Sequence, residues 1–483
     1  MKTKMKTKMT TKILRLYYNL PESIKDCLGF FLRRFKKFRW EPTSCENHYM
    51  KELTDSEFHN YEQLEQLQLK KLQKLILHVS KYVPYYRDLF ERLSIKPDDI
   101  KSLEDLQKIP LLTKDMIREN PDCFISDLVK DKHKLTKVTT GGSTGTPMAY
   151  YFDEHMVGVR RATWWRWSQF AGVDLYKDRM ILCLGAPKRW VFPPEDYRGL
   201  VTFTRDRLLL AASVMTDKVL DRYIQDIRKF RGDYIRGNAS AVYLIAKRIV
   251  EKGEVIPLKA ALTSSDALYP RYRVVIEKAF SCKVSDHYGQ NEDTLTATEC
   301  DYVNGFHINM ETCIAETVND AGEVIYGEEG QFLSTHLENF TMPLIRYKVG
   351  DVGVIALNKT KCECGRFHQK IKSLSGRFGE FVETPEGRKI GVSALTIPLK
   401  TVMKGIKQCQ YIQYSLNHLT IKIIPTKFWD PDIDSISLTQ SLKNLLGNTI
   451  EIDLKLVESI ATRKNGKFAF IVSHLDSEQN HEK

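Results

Sequence analysis

The 483-residue chain is long enough for two or more domains, and its 42% hydrophobic and 28% charged residues are those of a folded protein, not a disordered one. Its charge of +12 is concentrated: residues 1–40 hold twelve Lys and Arg against two acids, whereas the rest carries 61 basic and 59 acidic side chains. A body so close to neutral excludes a nucleic-acid binder whose basic residues line one face, and no run of 18 apolar residues predicts a membrane-spanning helix.

The ten cysteines are scattered, which suits cytosolic thiols better than a disulfide framework. The Lys-rich start has neither the apolar core nor the small-residue cleavage site of a signal peptide. A cytoplasmic protein is therefore expected. Residues 1–8 are low-complexity, and residues 27–40 interleave Phe30, Phe31, Phe35 and Phe38 with Arg and Lys. That pattern suits a helix lying on an anionic membrane surface, and so peripheral contact with the inner face of the membrane. It equally suits a helix whose Phe residues dock on the body.

From residue 61 to 93, Leu64, Leu67, Leu72, Leu75 and Val79 recur at helical spacing, with a turn before Pro84. Residues 154–170 read as a helix carrying Trp164, Trp165 and Trp167. Such an aromatic cluster suits a core first and a substrate pocket second. Apolar runs at 180–184 and 260–263 read as buried strands, separated by helical patterns at 217–230 and 240–252. This alternation predicts α/β layers, with ligand groups at the carboxyl ends of the strands, where Ser265 and Asp266 fall. Residues 331–335 and 353–356 read as strands of a smaller β region. From about residue 382 the pattern is α+β, with residues 419–424 its clearest strand.

Thr139-Thr-Gly-Gly-Ser-Thr-Gly-Thr-Pro147 is the loop richest in chemistry. Glycines let amide N–H groups converge on an anion, and hydroxyls add donors. The absence of a following Gly-Lys excludes a P-loop. Four further stretches accompany it: Asp286-His-Tyr-Gly-Gln-Asn-Glu292, Pro343-Leu-Ile-Arg-Tyr-Lys-Val-Gly-Asp351, Ser375-Gly-Arg377 and Arg463-Lys-Asn-Gly-Lys467. Together, in this order, they resemble the boxes of adenylate-forming enzymes. Val83-Pro-Tyr-Tyr-Arg87 and Leu106-Gln-Lys-Ile-Pro-Leu-Leu-Thr-Lys114 resemble the phenylacetate–CoA ligase branch and its capsular-polysaccharide CapK-like relatives.

The resemblance implies a basic extension over residues 1–60, a large α/β adenylate-forming domain over 61–378, and a small mobile α+β lid over 379–483. It implies ATP and Mg²⁺ as cofactors and a carboxylic acid as substrate. The acyl acceptor is either coenzyme A or an amine or hydroxyl of a glycan, the latter in surface-polysaccharide synthesis. No nucleic-acid partner is expected.

Site residues carry over one by one. Glu292 would hold Mg²⁺, and Thr140, Gly142, Ser143, Thr144 and Gly145 would contact the triphosphate. Gly141 stands where relatives have Ser. Asp351 would accept both ribose hydroxyls, while Asp286, Tyr288, Gly289, Ser265 and Asp266 would surround the base. Arg377 would touch ribose or phosphate, His287 would lie near the reacting carboxylate, and Lys467 would be the mobile catalytic lysine. Gly379 replaces the family's acidic hinge residue. Cys300, His307, Cys362 and Cys364 could complete a structural zinc site, with His368 the rival fourth ligand and free thiols the other reading. A non-catalytic nucleotide-binding scaffold is the contrasting reading. Glu292, Asp351, Arg377 and Lys467 together weigh against it.

Overall fold

The structure is a computed structural model that describes residues 41–139, 148–184, 199–202, 206–212, 215–265, 268, 270–319, 321–356, 360–374, 381–399, 401–402, 405–460 and 470–475. Residues 27–40, where membrane contact was expected, lie outside them. So do Thr140, Gly142, Ser143, Thr144, Gly145, Asp266, Arg377 and Lys467. None of the described helices is long and apolar enough to cross a membrane.

The first described helix, Ser44–Asp55, falls within the stretch assigned to the extension, yet it packs on the body. Thr43 caps it, with Glu46 reaching back to the Thr43 amide to complete a capping box. Its buried Tyr49 and Leu53 face the helix Glu154–Phe170. Gly158 permits that approach, since a Cβ there would stand 2.6 Å from the Cys45 sulfur.

Asn60 caps Tyr61–Tyr82, which buries Leu64, Leu72, Leu75 and Val79 completely. Each is worth about 1.5–3 kcal/mol relative to exposure. The chain breaks at Val83, in an extended conformation before Pro84, and Pro84 opens the helix Pro84–Leu93.

One 13-stranded sheet forms the centre of the body. Its parallel part pairs Arg207–Ala211, Met180–Leu184, Tyr234–Asn238, Ala260–Ser264 and Lys283–Gly289 in that order. The helices Asp217–Phe230, Ala239–Glu251 and Pro270–Phe280 connect or follow these strands, giving the expected α/β alternation. From Lys283–Gly289 onward the pairing turns antiparallel, through Thr296–Glu299, Phe306–Ile308 and Lys370–Leu374 to Tyr347–Ile355 and Glu329–His336. The β region expected around residues 331–356 is thus the antiparallel half of the same sheet.

Residues 382–471 build a separate hydrophobic core, including Val382, Leu395, Tyr411, Leu438 and Phe470. Its sheet joins Glu451–Leu456, His418–Pro425, Ile406–Ser415 and Ile471–Ser473, packed beneath Pro431–Leu446. Leu419, Ile421 and Ile423 are fully buried at alternate positions, as the strand period of two requires.

Candidate functional site

The site is built where the sheet changes from parallel to antiparallel. The strand Lys283–Gly289 ends there, bringing Asp286, His287, Tyr288 and Gly289 to its carboxyl end, next to Ser264 of the neighbouring strand and Ser265 just beyond it. Crevices at such strand ends are where α/β sheets collect ligands. Ser265 adopts φ +77°, a left-handed turn that ends its strand and leaves the side chain exposed.

Two distant motif residues meet directly: the Tyr288 hydroxyl donates to Asp351 Oδ2 at 2.8 Å, although 63 residues separate them. Gln290 Nε2 donates to the same hydroxyl at 3.0 Å. The placement of Asp351 has a local cause. In the pairing of Glu329–His336 with Tyr347–Ile355, Val349, Gly350 and Asp351 stand opposite the single residue Phe332, and Gly350 takes φ +91°. Such a bulge re-aims a side chain, and glycine adopts that φ without strain.

Glu292 is buried, not a solvated surface acid. It accepts the Tyr347 hydroxyl at 2.9 Å, and Lys114 Nζ lies 3.7 Å away. Burial, and then Glu292 itself, push the Tyr347 phenol well above its ordinary range. Lys114 arrives because Leu112 bridges Tyr347 in parallel: the Leu112 amide donates to the Arg346 carbonyl, and the Lys348 amide to the Leu112 carbonyl. Thr113 then caps the helix Lys114–Glu119. Arg346 anchors this turn by donating to Glu316 and to the Ile109 carbonyl.

Asp286 accepts the Thr263 hydroxyl at 2.7 Å, and its amide donates to Glu299. His287 shares a hydrogen with Thr298 Oγ1 and stacks on Trp167, with ring centroids 4.8 Å apart. Burial first, then the charges of Arg236 and Arg160, lower its pKa to about 3, so the ring is neutral at physiological pH. A Cβ on Gly289 would stand 3.4 Å from His287 Nε2. The strand Thr136–Thr139 pairs with Ala149–Phe152, setting Thr139 opposite Ala149 on either side of the glycine-rich loop.

The second cluster lies on the antiparallel half. Cys300, His307, Cys362 and Cys364 bring their ligand atoms within 4.8 Å of one another. His307 Nε2 is 3.3 Å from Cys364 Sγ. A tetrahedral zinc with bonds of about 2.0–2.3 Å spans its ligands at about 3.5–4 Å, so the set fits that ion. Burial raises the Cys300 thiol to about 12. Burial opposes ionisation of Cys362 too, but hydrogen bonds from Cys364 and the nearby Lys370 lower its pKa. His368, the rival ligand, is engaged elsewhere: its Nε2 is 3.0 Å from Glu311 Oε1, inside a buried network with Arg166.

The sequence did not single out Lys114 or Tyr347 as site residues, although both lie in stretches that carried the family marks. It also missed Arg160, Arg236 and Asp293. Asp293, at φ +57° beside Glu292, lies 3.7 Å from Arg160. A cleft between the body and the C-terminal unit is lined by Met215, Lys247, Tyr272, Arg388 and Leu445, and includes none of the residues chosen from sequence.

Residues 382–474 match the family described as the CapK C-terminal domain. Over 467 residues the chain is 24% identical to Protein CapK of Staphylococcus aureus, covering 95% of this chain and 97% of that one. It is also 24% identical to the phenylacetate–coenzyme A ligase of Thermus thermophilus, over 65% of this chain and 71% of that enzyme. Among solved structures, 2-hydroxyisobutyryl-CoA ligase with 2-HIB-AMP and CoA in the thioesterification state superposes with a TM-score of 0.57. That pair is 18% identical, covering 89% of this chain and 94% of the other. The structural likeness establishes a shared fold.

Proposed function

We propose, for a chain that belongs to the adenylate-forming superfamily beside CapK and the phenylacetate–CoA ligases and is an AMP-forming ligase, that Tyr288, Glu292 and Asp351 form its ATP site. The observation that carries this reading is the hydrogen bond from Tyr288 to Asp351 at a strand end that also holds buried Glu292. Asp351 offers carboxylate oxygens to the ribose hydroxyls, and Tyr288 offers its ring to the base. Glu292 is the carboxylate for Mg²⁺, which when bound would neutralise phosphate charge. Asp286, Gly289 and Ser265 border the base, and His287, held neutral, stands beside the acid. Thr140, Gly142, Ser143, Thr144, Gly145, Asp266 and Arg377 complete the nucleotide contacts in this proposal, and Lys467 bridges carboxylate and α-phosphate.

A substrate carboxylate oxygen attacks the α-phosphorus, the bond to the β-phosphate oxygen breaks, and pyrophosphate leaves with that electron pair. A nucleophile on the acceptor then attacks the acyl carbon and AMP leaves. We place this chemistry between a body over residues 61–378 and a lid over 379–483, a division supported by their separate cores. The helix Ser44–Asp55 docks on the body. We take the acceptor to be a glycan amine or hydroxyl in surface-polysaccharide synthesis, because similarity to CapK spans the lid as well as the body. Coenzyme A is the second reading, favoured by the phenylacetate–CoA ligases.

Cys300, His307, Cys362 and Cys364 would hold a structural zinc, tying the two segments that carry them. Residues 27–40 would give a peripheral membrane contact, to be measured as salt-sensitive binding to anionic vesicles that is lost on removing residues 1–40. The test of the central reading is ATP–pyrophosphate exchange over a panel of carboxylic acids. Acid-dependent exchange that collapses in Asp351→Asn supports it. A chain that binds ATP yet exchanges with no acid is a nucleotide-binding scaffold.

A further inference from the structure

Beside the proposed ATP site lies a row of aromatic and basic side chains whose charge is unbalanced. The helix Glu154–Phe170 crosses the face of the parallel strands and presents Arg160, Trp164 and Trp167 at positions i, i+4 and i+7, one side of a helix. Trp167 reaches the strand Lys283–Gly289, where its indole N–H donates to Ser285 Oγ at 3.1 Å. Arg236 rises from the strand Tyr234–Asn238, at the same sheet level as Leu262 and Ser285. Its guanidinium lies 4.2 Å from the Trp164 ring and 5.0 Å from the Trp167 ring. Arg160 stands 5.0 Å from the Trp164 ring. The row runs Arg160, Trp164, Arg236, Trp167, His287, and its last member directly precedes Tyr288.

Among the described residues, Arg236 has no carboxylate and no hydrogen-bond acceptor; its contacts are aromatic faces. Arg160 has one acid, Asp293, at 3.7 Å, and its Nε makes no hydrogen bond. Burial lowers Arg236 to about 10, with Tyr234 opposing and Arg160 and Arg207 adding to the fall. The guanidinium remains charged at physiological pH. Neutral His287 neither adds to that charge nor offsets it. Two half-buried guanidiniums thus face one acid, and cation–π contacts of about 0.5–2 kcal/mol each do not replace a counterion.

We propose, on the adenylation reading above, that this row of side chains takes the acyl substrate and that Arg236 binds a second anionic group on it, so that the substrate is a dicarboxylic acid. One carboxylate is delivered to the nucleotide past His287, the spacer lies against Trp164 and Trp167, and the far carboxylate meets the planar fork of Arg236. A bidentate guanidinium–carboxylate pair is the strong form of this contact. A monoacid of equal length would leave Arg236 without an anion.

The test is calorimetric titration of the full-length chain with three matched pairs: succinate and butyrate, glutarate and valerate, terephthalate and benzoate. At least one diacid is expected to bind tenfold or more tightly than its monoacid. That ratio should fall to near one in Arg236→Met. Arg236→Lys keeps the charge without the fork, so it should retain part of the preference and still reads the proposal if the Met variant does not fold. The inference is overturned if no pair shows a preference, or if the preference survives Arg236→Met. ATP–pyrophosphate exchange separates the two readings. Exchange with monoacids alone overturns the dicarboxylate inference and leaves adenylation standing. Arg236-dependent diacid binding without any exchange leaves the dicarboxylate inference standing and overturns adenylation.

Discussion

Arg166 belongs to the helix Glu154–Phe170 and Arg236 lies against it, yet one guanidinium is saturated and the other is not. Arg166 donates to both oxygens of Glu311 at 2.7 and 2.9 Å, to Asn309 and to the Leu53 carbonyl. Glu311 also receives the Ser56 hydroxyl and His368, and burial of its carboxylate is outweighed by Arg166 and His368, which hold its pKa well below the ordinary range. That network ties the docked helix Ser44–Asp55 to the antiparallel strands, and the hydrogen bonds that Arg166 donates in it all end on protein. Arg236 ends on two indoles. A charge kept for structure is matched by the fold itself, whereas one kept for a ligand waits for the ligand.

The largest effect should come from breaking the saturated network. Arg166→Leu leaves Glu311 buried beside one histidine and should cost about 3–5 kcal/mol in chemical denaturation. Replacing both partners, Arg166→Met with Glu311→Leu, should cost less than Arg166→Leu alone, because no charge is then stranded. A double variant less stable than Arg166→Leu would contradict this account of the pair.

Glu292 lies between the two extremes, with a phenol and a distant ammonium as partners. Glu292→Gln keeps an acceptor for Tyr347 but removes the charge. We expect pyrophosphate exchange to fall about 10²-fold, with a raised Mg²⁺ requirement and a melting temperature within a few degrees of the parent. An unchanged Mg²⁺ dependence and rate would remove Glu292 from the site.

The thiol cluster extends the contrast to a site matched by an ion. The purified chain should carry about one zinc, and Cys362→Ser should lose both the metal and part of the thermal stability. A metal-free parent as stable as the zinc-supplemented one would rule out a structural zinc.

The smallest effect concerns His336, whose Nδ1 accepts the Glu338 and Asn339 amides at 3.1 and 3.2 Å. Burial first, with Glu338 opposing, lowers its pKa to about 4, below the value of about 6.5 in the unfolded chain. The unfolded state therefore binds more protons between these values. The histidine's contribution is complete above about pH 6.5 and is lost as pH falls towards 4, at about 1 kcal/mol per pH unit. His336→Asn should flatten the pH dependence of unfolding in that window. An unchanged slope would assign the pH dependence to other groups.

Tyr288, Glu292 and Asp351 could be picked out in the sequence because their motifs are local: Tyr288 and Glu292 share one stretch, and Asp351 ends another. The pairing of Cys300 and His307 with Cys362 and Cys364 was likewise legible, since those segments are adjacent strands and a turn of the antiparallel half. Arg236 was not. It belongs to no motif, and its meaning depends on a sheet level shared with Ser285 two strands away and on a helix crossing above. The indoles of Trp164 and Trp167 were visible as a cluster, but periodicity could not say that a guanidinium would lie against both. Nor could local pattern show that the strands around residues 331–356 continue the parallel sheet, because that depends on which edge the chain joins.

The most direct test of the account follows oxygen. A carboxylic acid that supports exchange, labelled with ¹⁸O in its carboxylate, is carried through a single turnover with ATP, and the nucleotide product is analysed by mass spectrometry. Attack by the carboxylate on the α-phosphorus predicts one labelled oxygen in AMP, with unlabelled pyrophosphate. Label in orthophosphate, with ADP as the nucleotide product, would place the attack on the γ-phosphorus and contradict an AMP-forming ligase.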